Sequence, residues 1–202
     1  MLPAVLGGAV RRATWFCVDI ECSGPVPGLY DMISLGVVCV VLRGDAFELS
    51  EPLYLEFCPT APRVDAGAMA VNGLDLDDLR RNGLTLHDGL SRLSEWVAEH
   101  TEPATTPVFV GHNAPFDWSF VNHGYVSQDL PNPFGYKALD TKALAMGVLG
   151  VHWFDANKEL LEERLELPKP DVGLVHRADY DAWYQAKILV GLLIRRPECV
   201  GL

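Results

Sequence analysis

The hydrophobic positions of the chain start as continuous apolar runs and later take the three-to-four-residue spacing of helices. Thr14–Glu21 and Ile33–Leu42 are continuous, partly β-branched runs, which predict buried strands. A turn at Arg43–Asp45 separates the second run from a third predicted strand, Phe47–Phe57. Because the connections between these runs are short, we expect the three strands to be antiparallel.

Helical patterns follow the three predicted strands. The longest cover Leu86–His100 and Arg177–Ile194, each with apolar residues on one face. A loop at Thr101–Pro107 leads into a short apolar strand, Val108–Gly111. Shorter helices are predicted at Ala66–Val71, Asp75–Arg80, Pro115–Tyr125, Asp140–Val148 and Ala156–Leu165, and loops at Gly24–Gly28 and Leu167–Val175. This order predicts one α/β domain over residues 1–202, with a mixed sheet and helices on both faces.

Composition and charge narrow the class of protein. Hydrophobic residues make up 49% of the chain, but no apolar stretch is long enough to span a membrane. The first ten residues are apolar and precede Arg11 and Arg12, which is not the order of a secretory signal, so residues 1–13 are interpreted as a frayed terminus. The net charge of −11 argues against a broad surface for long nucleic acid. It does not exclude a small site whose charge metal ions invert.

The cysteines indicate a reducing compartment. There are five of them, an odd number, and no C-x-x-C pair that would suggest structural zinc. Cys17 and Cys39 lie within apolar runs, which predicts buried thiols. We therefore expect a cytoplasmic protein without disulfides.

Two carboxylates end the first apolar run. Asp19 and Glu21 are two residues apart on the predicted strand, so their side chains point to the same face while Ile20 points to the other. Burying two like charges without a cation is costly. Two oxygen ligands with no softer ligand nearby suit Mg²⁺ or Mn²⁺. The alternative interpretation is an exposed strand end with no metal.

Two later segments carry further candidates. Asp117 lies in the first turn of a helix that follows a buried strand, with Asn113 as the expected N-cap. Acids at helix starts are common, but the junction of a strand end and a helix start is also where α/β sheets place ligands. His176 precedes the last predicted helix, and Asp181 lies in its early turns, with Asp179 as the alternative acid.

In this order the motifs D-x-E, H-N-x-x-F-D and H-x-x-x-x-D resemble those of the DEDDh family of 3′–5′ exonucleases. The family includes proofreading exonucleases, ribonuclease T and oligoribonuclease, and it has a ribonuclease H-like fold. Asp19 and Glu21 match the first motif, Asp117 the second, and His176 and Asp181 the third. The resemblance covers most of the chain, and it implies a ribonuclease H-like mixed sheet of three antiparallel strands followed by parallel strands.

The resemblance also implies an activity. The expected reaction is the metal-dependent release of nucleoside 5′-monophosphates from the 3′ end of RNA or DNA that is single-stranded or short. Two divalent ions, Mg²⁺ or Mn²⁺, share Asp19, with Glu21 and Asp181 completing one site and Asp117 the other. His176 takes the proton of the attacking water, a task that suits an imidazole because it titrates near neutral pH.

Substrate contacts follow from the same resemblance. The expected substrate-binding residues are Ile20, Cys22, Asn113 and Phe116. Cys22 departs from the threonine usual in the family, so a thiol stands where the family has a hydroxyl. Phe116 and Trp118 are candidates to stack on bases, with core packing as the alternative for both. The apolar residue that wedges against the terminal base is Pro25, Leu29 or Met32.

A catalytically silent nucleic-acid-binding module on the same fold is the rival interpretation. The complete set of acids together with His176 argues against it, because a module without catalysis has no need of them. A protein-interaction domain is a third interpretation, which no sequence feature supports. Basic residues are sparse, and the adjacent pair Arg80 and Arg81 suggests a homodimer in which one subunit's pair lies near the other's site.

Overall fold

One mixed sheet of six strands organises residues 12–196, the part of the chain that the computed structural model describes. The strands are β1 (Arg12–Cys22), β2 (Met32–Arg43), β3 (Ala46–Leu49), β4 (Leu53–Glu56), β5 (Thr105–Gly111) and β6 (Ala138–Asp140). The order across the sheet is β3-β2-β1-β5-β6, and β4 also pairs with β2. β1 to β4 pair antiparallel, whereas β5 and β6 join in parallel, which confirms the predicted fold class.

Seven helices lie among the described residues. They are α1 (Ala66–Asn72), α2 (Leu76–Asn82), α3 (Leu86–His100), α4 (Pro115–Ser127), α5 (Thr141–Leu149), α6 (Lys158–Leu165) and α7 (Ala178–Ile194). Five of them start at a side chain that accepts a hydrogen bond from a backbone N–H of the first turn, namely Asp65, Asp75, Thr85, Asp140 and Asn157. Such caps satisfy N–H groups that have no partner within the helix.

The third predicted strand is wrong as a single element. The run Phe47–Phe57 forms two strands, β3 and β4, which pair with successive parts of β2. Between them, Ser50 Oγ accepts a hydrogen bond from the backbone N–H of Cys39, and Pro52 has no N–H to donate. The Ser50 hydroxyl thus replaces a backbone carbonyl as the acceptor for the Cys39 N–H, and the ladder of backbone hydrogen bonds along β2 is interrupted there.

Two boundaries around the parallel strands also differ from the prediction. The expected loop at Thr101–Pro107 is wrong at its end, because β5 already starts at Thr105. Pro107 is tolerated there because β6 pairs only with the last three residues of β5, so Pro107 has a neighbouring strand on one side only. β6 itself was not predicted, since three residues are too few to show a strand pattern.

The core occupies both faces of the sheet. Phe16, Val18 and Ile20 of β1 pack with α3 and α4, and Trp15 and Cys17 of the same strand pack with α7. A third cluster joins α5, α6 and α7. The expected helices on both faces are therefore confirmed.

The predicted frayed terminus overlaps the first strand, and the predicted burial of two thiols is confirmed. Residues 1–11 of the expected frayed segment lie outside the described residues, while Arg12 and Ala13 already belong to β1. Cys17 and Cys39 are buried free thiols, as predicted, and burial raises the pKa of Cys39 to about 12. None of the helices in residues 12–196 is both long and apolar enough to cross a membrane.

Candidate active site

Three of the predicted acids meet on the face of β1 that packs against α7. Side chains alternate along a strand, so Asp19 and Glu21 continue the face on which Cys17 contacts α7. Asp181 lies in the first turn of α7 and is almost fully buried. One carboxylate oxygen of Asp181 lies within 4.8 Å of one of Glu21. The α7 face of β1 therefore brings together the first and third predicted motifs.

Asp117 reaches the same edge from the other side of the sheet. β5 runs parallel to β1, so the two strands end at the same edge and α4 starts there. Asp117 lies in the first turn of α4, and its Oδ1 accepts a hydrogen bond from the backbone N–H of Ile20 at 3.2 Å. This bond anchors Asp117 to β1 at the residue between Asp19 and Glu21.

A glycine opposite Asp19 lets α7 approach the sheet. Gly36 on β2 is the register partner of Asp19 on β1. A Cβ at Gly36 would collide with the backbone carbonyl of Ala178, the first residue of α7. The missing side chain therefore lets the first turn of α7, and Asp181 with it, lie directly against β2 at the level of Asp19.

Burial and mutual repulsion make these acids reluctant to ionise. Burial is the main reason that the pKa of Asp19 lies well above its ordinary value of 3.8, and the Asp117 carboxylate adds to it. Burial likewise raises the pKa of Glu21 and that of Asp117 to about 7 each. Perturbations of this kind cluster at functional sites, where a cation or a reaction uses the charge.

Lys158 places a cation against the cluster, a residue that sequence reasoning missed. Lys158 is the first residue of α6, and its Nζ lies 3.2 Å from Asp181 Oδ1. Burial alone would lower the pKa of Lys158, but the Asp19 and Asp181 carboxylates outweigh it and raise that pKa above 10.5. Its position in the sequence could have identified it, because a lysine is unusual at a helix start, where the helix dipole favours acids.

His176 lies at the open side of the cluster. Its backbone N–H donates to Asp181 Oδ2 at 2.9 Å, and its φ of 67° is in the left-handed region, which non-glycine residues seldom adopt. One ring nitrogen and one carboxylate oxygen each of Glu21 and Asp181 all lie within 4.8 Å of one another. The side chain is exposed, so the imidazole can meet both the acids and a ligand from solution.

The donor set fits hard divalent ions. Four carboxylates converge on one edge, and the ammonium of Lys158 offsets only part of their charge. Carboxylate oxygens without thiolate donors are the ligands of Mg²⁺ and Mn²⁺. The excess negative charge is what such ions neutralise.

The architecture is shared with a solved nuclease. The nuclease domain of 3′hExo, described as a DEDDh family member bound to rAMP, superposes with a TM-score of 0.74. The match covers 94% of this chain and 96% of that one at 15% identity. The ribonuclease H-like fold expected from the motifs is therefore confirmed.

Sequence relatives decide the family. No protein-family model matches the chain. Ribonuclease T of Yersinia enterocolitica is 27% identical over 203 residues, covering 97% of this chain and 92% of that protein. The 3′–5′ DNA exonuclease Cap18 of Escherichia coli is 38% identical over 171 residues, covering 85% of this chain and 87% of that protein. The chain belongs to the DEDDh family of 3′–5′ exonucleases.

In this exonuclease a buried glutamine holds Asp19. Gln185 is 1% exposed, and its Nε2 donates to Asp19 Oδ1 at 2.6 Å. Its Oε1 accepts from the backbone N–H of His112 at 3.1 Å. Gln185 lies four residues after Asp181 on α7 and so on the same helix face, which is the sequence signal that could have identified it.

His112 has a supporting place in the exonuclease. Thr141 Oγ1 donates to the Gly111 carbonyl at 3.2 Å, so it can accept the Nδ1–H of His112 at 3.0 Å. Burial, followed by the Lys158 charge, lowers the pKa of His112 to about 4. A neutral imidazole therefore ties the end of β5 to the start of α5.

The expected N-cap role of Asn113 is wrong. Ala114 precedes α4 without a side-chain cap, and Asn113 has a φ of 61°. Asp140 instead holds this turn, because its Oδ1 accepts from the backbone N–H groups of Asn113 and Ala114 at 2.9 and 3.4 Å. The Asn113 side chain is left exposed, where the exonuclease can present it to a ligand.

The two aromatic candidates of α4 separate. Trp118 packs edge-on against Phe109 in the core, with ring centroids 5.1 Å apart, so its packing interpretation fits. Phe116 is 37% exposed and leans on Phe120 at 5.4 Å. Phe116 is thus the aromatic residue of this turn that the exonuclease offers to solvent.

The remaining substrate candidates differ in exposure. The side chains of Ile20 and Cys22 belong to the core, which leaves only a small accessible edge for a nucleotide. Met32 is buried in the same core to a similar degree, so it is a less accessible candidate for the base wedge than the two others. Pro25 and Leu29 are exposed.

Proposed function

We propose that this exonuclease removes nucleoside 5′-monophosphates stepwise from the 3′ end of single-stranded or short nucleic acid, with DNA preferred. The observation that carries the proposal is the convergence of four carboxylates and one exposed imidazole at the open edge of the sheet. The preference for DNA rests on the 38% identical relative, which is named a DNA exonuclease, against 27% for Ribonuclease T.

The four acids would hold two divalent ions, Mg²⁺ or Mn²⁺. Asp19 is proposed as their shared ligand, with Glu21 and Asp181 completing one site and Asp117 the other. When bound, such ions supply an activated water and stabilise the charge on the leaving 3′ oxygen. Gln185 orients Asp19 through its 2.6 Å hydrogen bond, and the Ile20 N–H orients Asp117.

His176 is proposed as the general base. The water oxygen bonds to the phosphorus of the last phosphodiester, and the imidazole takes the water proton. The bond from phosphorus to the 3′ oxygen breaks, and that oxygen takes a proton from solvent to become the 3′-hydroxyl of the shortened strand. The bond from the His176 N–H to Asp181 Oδ2 fixes the backbone while the ring stays accessible. A base held in this way contributes about 10²–10⁴-fold to a rate.

The substrate strand is proposed to approach along the exposed residues of this edge. Phe116 is accessible for stacking on a base, and such stacking is worth about 1–3 kcal/mol. Asn113 is accessible for a polar contact, and Pro25 or Leu29 for the base wedge. Ile20 and Cys22 are proposed to contact the terminal nucleotide through their small accessible edges.

End-labelled DNA and RNA oligomers of one sequence test this proposal. With Mg²⁺ or Mn²⁺, substrates blocked at the 5′ end should shorten to mononucleotides, those blocked at the 3′ end should resist, and DNA should be degraded faster. EDTA should stop the reaction. Binding without any cleavage would favour the silent nucleic-acid-binding module, and cuts within a circular substrate would favour an endonuclease.

The homodimer also stays a proposal. The basic pair that suggested it is partly neutralised, because Arg80 and Arg81 form ion pairs with Asp77 and Asp78 at 2.6 and 3.3 Å. These pairs are exposed, so a nucleic-acid phosphate can still compete for the two guanidinium groups. Light scattering that gives the mass of one chain at working concentration would refute the dimer.

A further inference from the structure

Lys158 occupies a place in the acidic cluster that the proposed mechanism does not use. Its Nζ lies 3.2 Å from Asp181 Oδ1, and the Asp181 side chain is only 7% exposed. The Lys158 charge also acts on Asp19, Asp117 and Glu21. It lowers the pKa of each of them, although burial raises these pKa values by more. Lys158 therefore serves the whole cluster as a counter-ion.

The ammonium and a metal ion have conflicting demands on Asp181. Its Oδ2 accepts a hydrogen bond from the backbone N–H of His176, and its Oδ1 accepts one from Lys158 Nζ. A divalent ion on Asp181 would lie next to the ammonium, and like charges repel strongly at that separation in a partly buried site. Asp181 therefore binds either the Lys158 ammonium or a divalent ion more favourably than it binds both together.

The lysine can withdraw from the cluster. Lys158 starts α6, directly after the connection that links α5 to α6, and a third of its side chain is already exposed. Its charged group is carried on a flexible four-carbon stem and is readily hydrated. Moving the ammonium into water therefore requires rotation of one side chain and no shift of a helix.

We propose that Lys158 is an internal counter-ion that competes with divalent metal for Asp181. It stabilises the metal-free site, withdraws when metal binds, and so raises the metal concentration at which the exonuclease becomes active. This inference rests on the proposed role of Asp181 as a metal ligand. It differs from that role because it concerns how tightly the site is loaded, not whether it binds metal.

Removing the charge of Lys158 tests the competition. Lys158→Met keeps the length of the stem, and calorimetry with Mn²⁺ should show binding at least about tenfold tighter than in the wild type. In EDTA the variant should melt at a lower temperature than the wild type, and it should gain more from Mn²⁺. Lys137→Met, which removes the same charge from an exposed surface lysine, should change neither quantity.

Lys158→Arg keeps the charge and should bind Mn²⁺ within a few-fold of the wild type. Equal or weaker binding by Lys158→Met overturns the competition. A wild type that binds no Mn²⁺ refutes the proposed metal site instead, so the two failures can be told apart.

A measurement on the wild type avoids any folding defect of the variants. An amine-reactive reagent, followed by mass spectrometry, should label Lys158 slowly in EDTA and several-fold faster with Mg²⁺. Lys137 in the same molecule should react at one rate in both conditions. Unchanged labelling of Lys158 on adding Mg²⁺ overturns the withdrawal.

Discussion

Replacing Asp19 by asparagine separates metal binding from folding. The amide side chain keeps an oxygen that can accept the hydrogen bond of Gln185 Nε2, and it has nearly the shape of the carboxyl group. Burial holds the pKa of Asp19 well above 3.8, so the amide replaces a group that ionises reluctantly in the metal-free protein. The variant loses the one carboxylate that is proposed to contact both metal ions.

The expected magnitudes differ with and without metal. In EDTA, Asp19→Asn should change the free energy of unfolding by less than about 1 kcal/mol, because the amide has nearly the volume of the carboxyl group and no cavity results. At a Mn²⁺ concentration of about 100 times the dissociation constant, the wild type gains about 2.7 kcal/mol. For a domain of this size that gain corresponds to a rise in Tm of about 5–10 °C. The variant should show little of this rise and no measurable turnover.

The assay is a pair of melting curves for each protein, with EDTA and with Mn²⁺, alongside release of mononucleotides. Asp45→Asn, at an exposed turn, removes the same charge and should behave as the wild type in every arm. An Asp19→Asn protein that gains the full Mn²⁺ stabilisation and keeps its activity would falsify the assignment of Asp19. A large loss of stability in EDTA would show instead that the carboxylate is needed for folding.

Four further predictions follow from the same geometry. His176→Ala should slow turnover by about 10²–10⁴-fold and leave Mn²⁺ affinity nearly unchanged; loss of metal binding would make His176 a ligand. Metal must displace the protons of Glu21 and Asp117, whose pKa values are about 7 in the metal-free fold, so calorimetry should show weaker Mn²⁺ binding at pH 6 than at pH 8. In EDTA stability changes in the opposite direction with pH. Both acids keep their protons up to a pKa of about 7 in the fold, against ordinary pKa values of 4.5 for Glu21 and 3.8 for Asp117. Stability should therefore fall as pH rises from about 4 to about 7 and then level off, and a flat profile over that range would contradict the assigned shifts. Gly36→Ala should cost about 1–3 kcal/mol in urea unfolding and weaken Mn²⁺ binding, whereas Gly147→Ala, with open space around it, should do neither.

Local patterns in the sequence determined most of the elements and the family. The bounds of α3 follow from its apolar spacing, with Thr85 as the cap. The acids Asp19, Glu21, Asp117 and Asp181 could be identified because each lies at a strand end or a helix start, places that adjacent residues mark. Periodicity, caps and short motifs are local properties, so one sequence suffices to read them.

Only the tertiary structure decided what surrounds the acids. Lys158 and Asp181 are 23 residues apart and Gln185 and Asp19 are 166 apart, so no local pattern could pair them. The split of the third strand likewise depended on a bond between Ser50 and Cys39 across the sheet. Burial, charge compensation and the close approach of α7 to β2 are properties of packed surfaces, and these arise only when distant segments meet.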